Sequence, residues 1–285
     1  MRKTVLRASS ILLLLSTPAF VLAQRIETVD GVRVVHNKMG GEWGNNPKIA
    51  IQLVRTIGDM NTDDENLAFN MPGDMALDDA GNIYILDSGN HRIQKFSPEG
   101  KYLATFGRRG QGPGEFSFPR SFDLDTKGLI YVLDDAQKRI QVLTPEGKDQ
   151  KIIPTTKLNL DRIRRLSSGY FVAKSYARFG LPGEPKDKTQ PKLVKLLDAD
   201  FNVIREFGKP FDFGDEMTNT IGNSFHFEVD SQDQILLSFF SQNRVEKYSA
   251  EGQLLWRADR ELNYSTKLIE KGKQESKKTS GGGIS

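Results

Sequence analysis

Residues 78–107, DDAGNIYILDSGNHRIQKFSPEGKYLATFG, decide the fold. Residues 82–86 are a β-branched and aromatic run ending at Asp87, 92–96 alternate polar and apolar, and 102–106 form a third run. Each is of strand length, and DDAGN, DSGN and SPEG lie around them. Asp, Asn and Ser side chains bond nearby backbone and Gly accepts positive φ, so these clusters reverse a chain in few residues. No stretch of useful length carries a helical period.

The unit repeats. Gly81 and Gly128 are 128 − 81 = 47 apart, and Arg92 and Arg139 are 139 − 92 = 47 apart. The second copy, 125–147, reads DTKGLIYVLDDAQKRIQVLTPEG; a later one, 230–252, reads DSQDQILLSFFSQNRVEKYSAEG. Between them lies a degenerate copy, SSGYFVAKSY, an insertion at 177–190, then KLVKLLDADFNVIREFG. Turns at Ser97, Thr144, Asp198 and Ser249 step by 47, 54 and 51. Periods of roughly 40–50 residues with four strands each point to an all-β chain built as a β-propeller of four-stranded antiparallel blades. The copies place those blades at 68–107, 115–153, 158–208 and 222–259.

Gly81-Asn82-Ile83-Tyr84-Ile85, then Asp87, Asn90, Arg92 and Ile93, then a turn ending at Gly100, resemble the NHL-repeat family of six-bladed β-propellers. The second copy keeps Arg139-Ile140 and the fourth Arg244-Val245, but the fourth lacks the leading Gly and has Ser238 in the neighbourhood of Asp87. The resemblance spans roughly 60–260. It implies a bacterial, exported propeller, in which an N-terminal strand pairs with C-terminal ones. It does not fix a function, because such folds host scaffolds, binders and some enzymes.

Residues 1–23 read as a secretory signal peptide: Arg2, Lys3 and Arg7 are basic, 11–15 open an apolar core, and 21–23 give a small-residue cleavage site. The apolar run is short and broken by Ser16, Thr17 and Pro18, against a stable membrane span. The expected location is periplasmic or secreted. With no Cys in the chain, disulfides and thiolate metal sites are excluded. The net charge of 40 − 37 = +3 equals the three basic residues of the leader, so the mature chain is near neutral and nucleic acid is not an expected partner. Residues 265–285, rich in Lys and Gly, read as a flexible tail behind a propeller spanning 24–264.

The IQLVRTIG segment precedes KYLATFG by one period, Gly58 to Gly107 being 49 residues, and reads as the outer strand of an earlier blade. Six blades of about 48 residues need about 290, whereas the mature chain has 285 − 23 = 262. An incomplete ring is therefore expected: four blades plus part of another, in a chain that could belong to a longer reading frame. Open blade edges would be available for self-association.

Function is placed by loop length. In an up-and-down blade the a–b and c–d turns share one rim, and the b–c and d–a connections share the other. The first set is short, whereas the second contains 107–119, the 177–190 insertion and 208–223. Long loops on a rigid scaffold are where binding resides. The expected function is a non-enzymatic binding or scaffold protein whose long-loop rim takes a protein, peptide or glycan. Candidate contacts are Arg108, Arg109 and Arg120, whose forks suit anions, and Phe179, Phe211 and Phe213. The Gly-rich 107–116 run is not a phosphate loop, because it lacks the G-K-S/T ending.

Aligning inner strands on their turns puts Asp74, Ser121 and His226 at one position, and Ala76, Asp123 and Glu228 at the next on the same side. These polar groups would line the channel, either binding a ligand or satisfied by neighbouring blades and water. No cofactor is expected under the binding reading. The alternative is a metal-dependent lyase or lactonase-like hydrolase, holding calcium or zinc at residues such as Asp74, Asp123, His226 and Glu228. No G-x-S-x-G elbow or Ser/His/Asp arrangement is evident.

Overall fold

The computed structural model describes residues 24–37, 52–59, 61–175, 192–214 and 216–260. The signal peptide, the 177–190 insertion with Phe179, and the tail lie outside these residues. A hairpin comes first, β1 (Gln24–Val29) and β2 (Val32–Asn37). The first blade is β3 (Pro72–Leu77), β4 (Ile83–Asp87), β5 (Arg92–Phe96) and β6 (Tyr102–Phe106). The second is β7 (Pro119–Leu124), β8 (Ile130–Asp134), β9 (Arg139–Leu143) and β10 (Asp149–Pro154). The third is β11 (Leu160–Arg165), β12 (Phe171–Ser175), β13 (Val194–Leu197) and β14 (Val203–Phe207). The fourth is β15 (Phe225–Val229), β16 (Ile235–Phe239), β17 (Arg244–Tyr248) and β18 (Leu254–Arg260). All four are antiparallel four-stranded meanders with the first strand innermost.

The turns close as their residues dictate. Asp78 Oδ1 accepts the amides of Ala80 and Asn82, and Asp125, Asp198 and Asp230 repeat this two- and four-residue pattern. Ser97, Thr144 and Ser249 do the same with a hydroxyl. Where the first two copies have a turn Gly, the fourth puts Asp233 at φ 59, which explains how the leading Gly could be lost.

The core lies between blades. One cluster joins Tyr84, Leu86 and Ile93 of the first blade to Phe122, Ile130 and Val132 of the second. A second joins Leu133 and Ile140 to Ile163 and Phe171, and a third joins Val172 and Leu196 to Phe227 and Leu237. Each inner strand thus turns one residue onto the preceding blade. Phe122, Ile163 and Phe227 in that place are fully buried, whereas Met75 of the first blade is 61% exposed. Leu236, on the outward face of the fourth blade, is also exposed. Among the described residues nothing fills the space between the fourth blade and the first, and the ring is open.

Three features differ from the expectations. Residues 52–59 form no strand; they lie along the first blade, where an added Cβ on Gly100 would meet Arg55 and Ile57. Phe106 stands against Gly147 and Phe207 against Gly252 in the same way, so Ile57 keeps an outer-strand packing place without its ladder. The N-terminal strand does meet the C-terminal blade, but by parallel pairing of β2 with the outer edge of β18, which extends that sheet to six strands. Parallel addition outside a complete blade leaves the ring unclosed. Finally, the 208–223 connection contains a short helix, α1 (Glu216–Gly222). Asn219 Oδ1 accepts the Phe213 amide and Asn223 Oδ1 accepts the Phe211 amide, so two Asn residues fold the segment back on itself.

Candidate functional site: the channel and the long-loop rim

The inner strands bring the polar row together. Asp74 opposes Leu86, Ser121 opposes Leu133, Arg162 opposes Lys174 and His226 opposes Ser238, which makes the four equivalent by register. The Ser121 hydroxyl donates to Asp74 Oδ2 at 2.7 Å and accepts the Ile163 amide. Asp123 accepts the amides of Arg165 and Leu124, and burial raises its pKa. His226 Nε2 lies 3.0 Å from Glu228 Oε1.

Two residues that the sequence reading did not single out organise this row. Arg164 donates to Asp74 through Nη1 (3.0 Å) and Nη2 (2.7 Å), and to Glu228 through Nε (2.8 Å) and Nη2 (3.2 Å). It also reaches the carbonyls of Phe122 and Ile163. Arg162 Nη2 stands 2.5 Å from Glu228 and 3.1 Å from Asp74. One guanidinium therefore ties the first, third and fourth blades together. Burial disfavours its charge, but the Asp74 and Glu228 carboxylates outweigh this and raise the Arg164 pKa. Burial likewise opposes ionisation of Glu228, yet Arg164 and Arg162 hold its pKa down at about 2. The signal was present in the sequence: Arg162 precedes Gly169 by seven residues, as Asp74 precedes Gly81. The degenerate third copy hid it.

Asp74 and Glu228 do converge, but on guanidinium groups, and Asp123 is turned to backbone amides. Among the described residues no three His, Cys, Asp or Glu side chains are grouped to hold a metal ion. Asp74, Glu228, Arg162 and Arg164 form one charge-paired group.

The long-loop rim is held differently. Arg92 Nε donates to the fully buried Asp87 at 2.9 Å, while its Nη2 holds the carbonyls of Glu65 and Ala68 in the incoming loop. Arg139 Nη2 holds Gly112 and Glu115 in the same manner. Asp134 accepts the amides of Ser117 and Phe118 and the Gln137 side-chain amide. The repeat's Asp and Arg thus pin the incoming loops of the first two blades.

Of the candidate contacts, Arg108 pairs with Glu115 in its own loop but keeps most of its surface in solvent. Arg109 is exposed beside the bridge to Phe116. Arg120 is committed to Asp135 and Asp161 and stacks 5.2 Å over Phe118. Phe211 and Phe213 pair at 4.8 Å; Phe211 is exposed, and Phe213 packs where a Cβ on Gly222 would lie. The sequence reading missed five further apolar side chains exposed on this rim: Met71, Phe118, Met217, Ile221 and Phe240. The opposite rim also exposes large hydrophobics: Tyr170, Leu77 beside the first inner turn, and Leu53 and Val54 next to Arg55, which reaches the Pro98 carbonyl. Apolar residues at the edges of strands look like core in a sequence, and only their placement at the loop ends exposes them.

Fold defines the class: a β-propeller of four-stranded antiparallel blades, with apolar side chains exposed on its long-loop rim. A family model, DUF5128, described as a 6-bladed beta-propeller, matches residues 57–161. No curated protein matches the chain. A Bacteroides fragilis protein assigned as exported has a similar structure, with TM-score 0.57 and 15% identity over 73% of this chain and 56% of that one. A DUF4221 family member from Bacteroides vulgatus matches at TM-score 0.49, 10% identity, over 69% and 60% of the two chains. Virginiamycin B lyase from Staphylococcus aureus matches at 0.45, 12% identity, over 66% and 55%. At these identities the likeness is one of fold. The chain spans 56% of the length of the Bacteroides fragilis structure.

Proposed function

We propose that this is an exported, non-enzymatic propeller of NHL type that binds a protein or peptide through its long-loop rim. The observation that carries the reading is the set of apolar side chains exposed on the long-loop rim: Met71, Phe118, Phe211, Met217, Ile221 and Phe240. Apolar side chains displayed on rigid loop ends favour a partner that can bury them. The Asp87–Arg92 clamp supports the NHL reading and makes the rim a rigid platform. The leader-like sequence of residues 1–23 supports export.

Photo-crosslinking in the cell envelope tests it. A photoreactive residue at Phe118 or Phe240 should give a discrete protein adduct, and one at Tyr170 should give none. Equal labelling from both rims would overturn the assignment. The same side chains allow self-association, and adducts of twice the chain mass would identify that partner as a second copy.

A further inference from the structure

The N-terminal hairpin ends the fourth blade's sheet in a free edge. The strand order runs β1-β2-β18, so among the described residues no strand pairs with the outer side of β1. The outer strands of the other three blades, β6, β10 and β14, each pair with their neighbour through a register shift, the kind of irregularity that blunts an edge. β1 lacks this protection. It pairs with β2 over its whole length without a break, and its sequence, QRIETV, holds neither Pro nor Lys. Ile26 and Val29 are 53% and 46% exposed along it.

The hairpin turn fixes which backbone groups face outward. Asp30 and Gly31 form a two-residue turn with φ 52 and 79, so Val29 and Val32 exchange hydrogen bonds across it. Exchange alternates along an antiparallel pair, so Glu27 with Val34 and Arg25 with His36 do the same. The N–H and C=O groups of Gln24, Ile26 and Thr28 therefore point away from β2. An antiparallel copy of β1 can meet these groups with its own in few registers. With Ile26 opposite its own copy, Gln24 opposes Thr28 and Arg25 opposes Glu27, on both sides of a two-fold axis. The neighbouring registers set Glu27 against Glu27 or Arg25 against Arg25, and like charges directly opposite are unfavourable.

We propose that the protein forms a two-fold dimer by antiparallel β1–β1 pairing centred on Ile26, which joins two six-stranded sheets into one. The Arg25 and Glu27 side chains are 69% and 40% exposed and 3.2 Å apart within one chain, so they can exchange partners across the axis. Glu27 keeps His36 on Oε1 and offers Oε2 to the incoming Arg25. The two Ile26 side chains meet on the other face. This contact uses none of the rim residues and stands or falls independently of the binding reading.

The test is disulfide crosslinking of the full chain, which has no Cys of its own. Ile26→Cys should oxidise to a covalent dimer, because residues opposed in a hydrogen-bonded pair have Cα atoms about 5.5 Å apart, within disulfide reach. Thr28→Cys should stay monomeric, because position 28 opposes position 24 and its two copies are roughly 13 Å apart along the strands. Light scattering should show the parent's mass rising toward double with concentration. Arg25→Glu and Glu27→Arg should each remain monomeric, and an equimolar mixture of the two should recover the dimer, since mixing restores opposite charges at both contacts. A parent that stays monomeric at every concentration, equal crosslinking through positions 26 and 28, or a charge-reversed pair that fails to associate on mixing would each overturn the proposal.

Discussion

At the residue scale, Arg164 decides whether the inner strands stay together. Its side chain and that of Asp74 are 9% and 1% exposed, so truncating the Arg takes two hydrogen bonds from a buried carboxylate and leaves it only Arg162, 3.1 Å away. Arg164→Met should cost about 3–5 kcal/mol in a denaturant titration. Glu228, whose pKa lies near 2 against an ordinary 4.5, adds a pH term. A depressed carboxylate stabilises above its unfolded value, so this contribution is complete above about pH 4.5 and is lost as pH falls toward 2. An acid titration of Tm should show the step in the parent and lose it in Glu228→Gln. Gly147 is a second sensitive point. It sits at φ 79, and a Cβ there would approach Phe106 to 2.3 Å. Gly147→Ala combines a backbone strain of about 1–2 kcal/mol with overlap in a buried core, and should lower Tm measurably.

At the element scale, the N-terminal hairpin is attached by a ladder and a switch. His36 bridges Glu27 (Nε2, 3.0 Å) and Asp259 (Nδ1, 2.8 Å), joining β1 to β18 across β2. Hydrogen bonds to Glu27 and Asp259 raise its pKa above 6.5, with Arg25 opposing. A raised His stabilises fully below its unfolded pKa and ceases to as pH rises through the folded one. Hydrogen exchange of the β18 amides should therefore quicken as pH rises past neutrality beyond the intrinsic rate. His36→Ala should abolish that extra pH dependence. The blades were legible from the sequence because each turn is local: an Asp or Ser, two to four residues and a Gly carry the whole instruction. The outer place of 52–59 was legible from its spacing to Gly107, but its lack of a ladder was not, since pairing needs strands from elsewhere. The helix α1 was missed because seven residues within a loop give too short a period to read.

At the scale of the whole molecule, one register position tests the open ring. Phe122 and Met75 are equivalent, one fully buried and the other 61% exposed. Phe122→Ala should cost about 3–5 kcal/mol, and Met75→Ala should change stability by less than about 0.5 kcal/mol. Comparable losses at both positions, read from paired denaturation curves, would mean that a further surface covers the first blade. The rim carries the same logic outward. Met71 and Phe118 sit in loops held by Asp87, Arg92, Asp134 and Arg139, so they are presented without the entropy cost of ordering a mobile loop.

The sequence by itself determined the strands, the turns and the repeat, because a two-residue period and turn chemistry are local properties. It also determined which inner-strand positions share a row, since fixed spacing to a turn sets register. What fills each row was settled only in the tertiary structure. The third blade brings Arg162 and Arg164 between Asp74 and Glu228; charge pairing across 164 − 74 = 90 residues has no local signature. The apolar side chains exposed on the rim and the outward addition of β2 belong to the same class. Each depends on which groups meet in space, and distance along the chain carries no record of that.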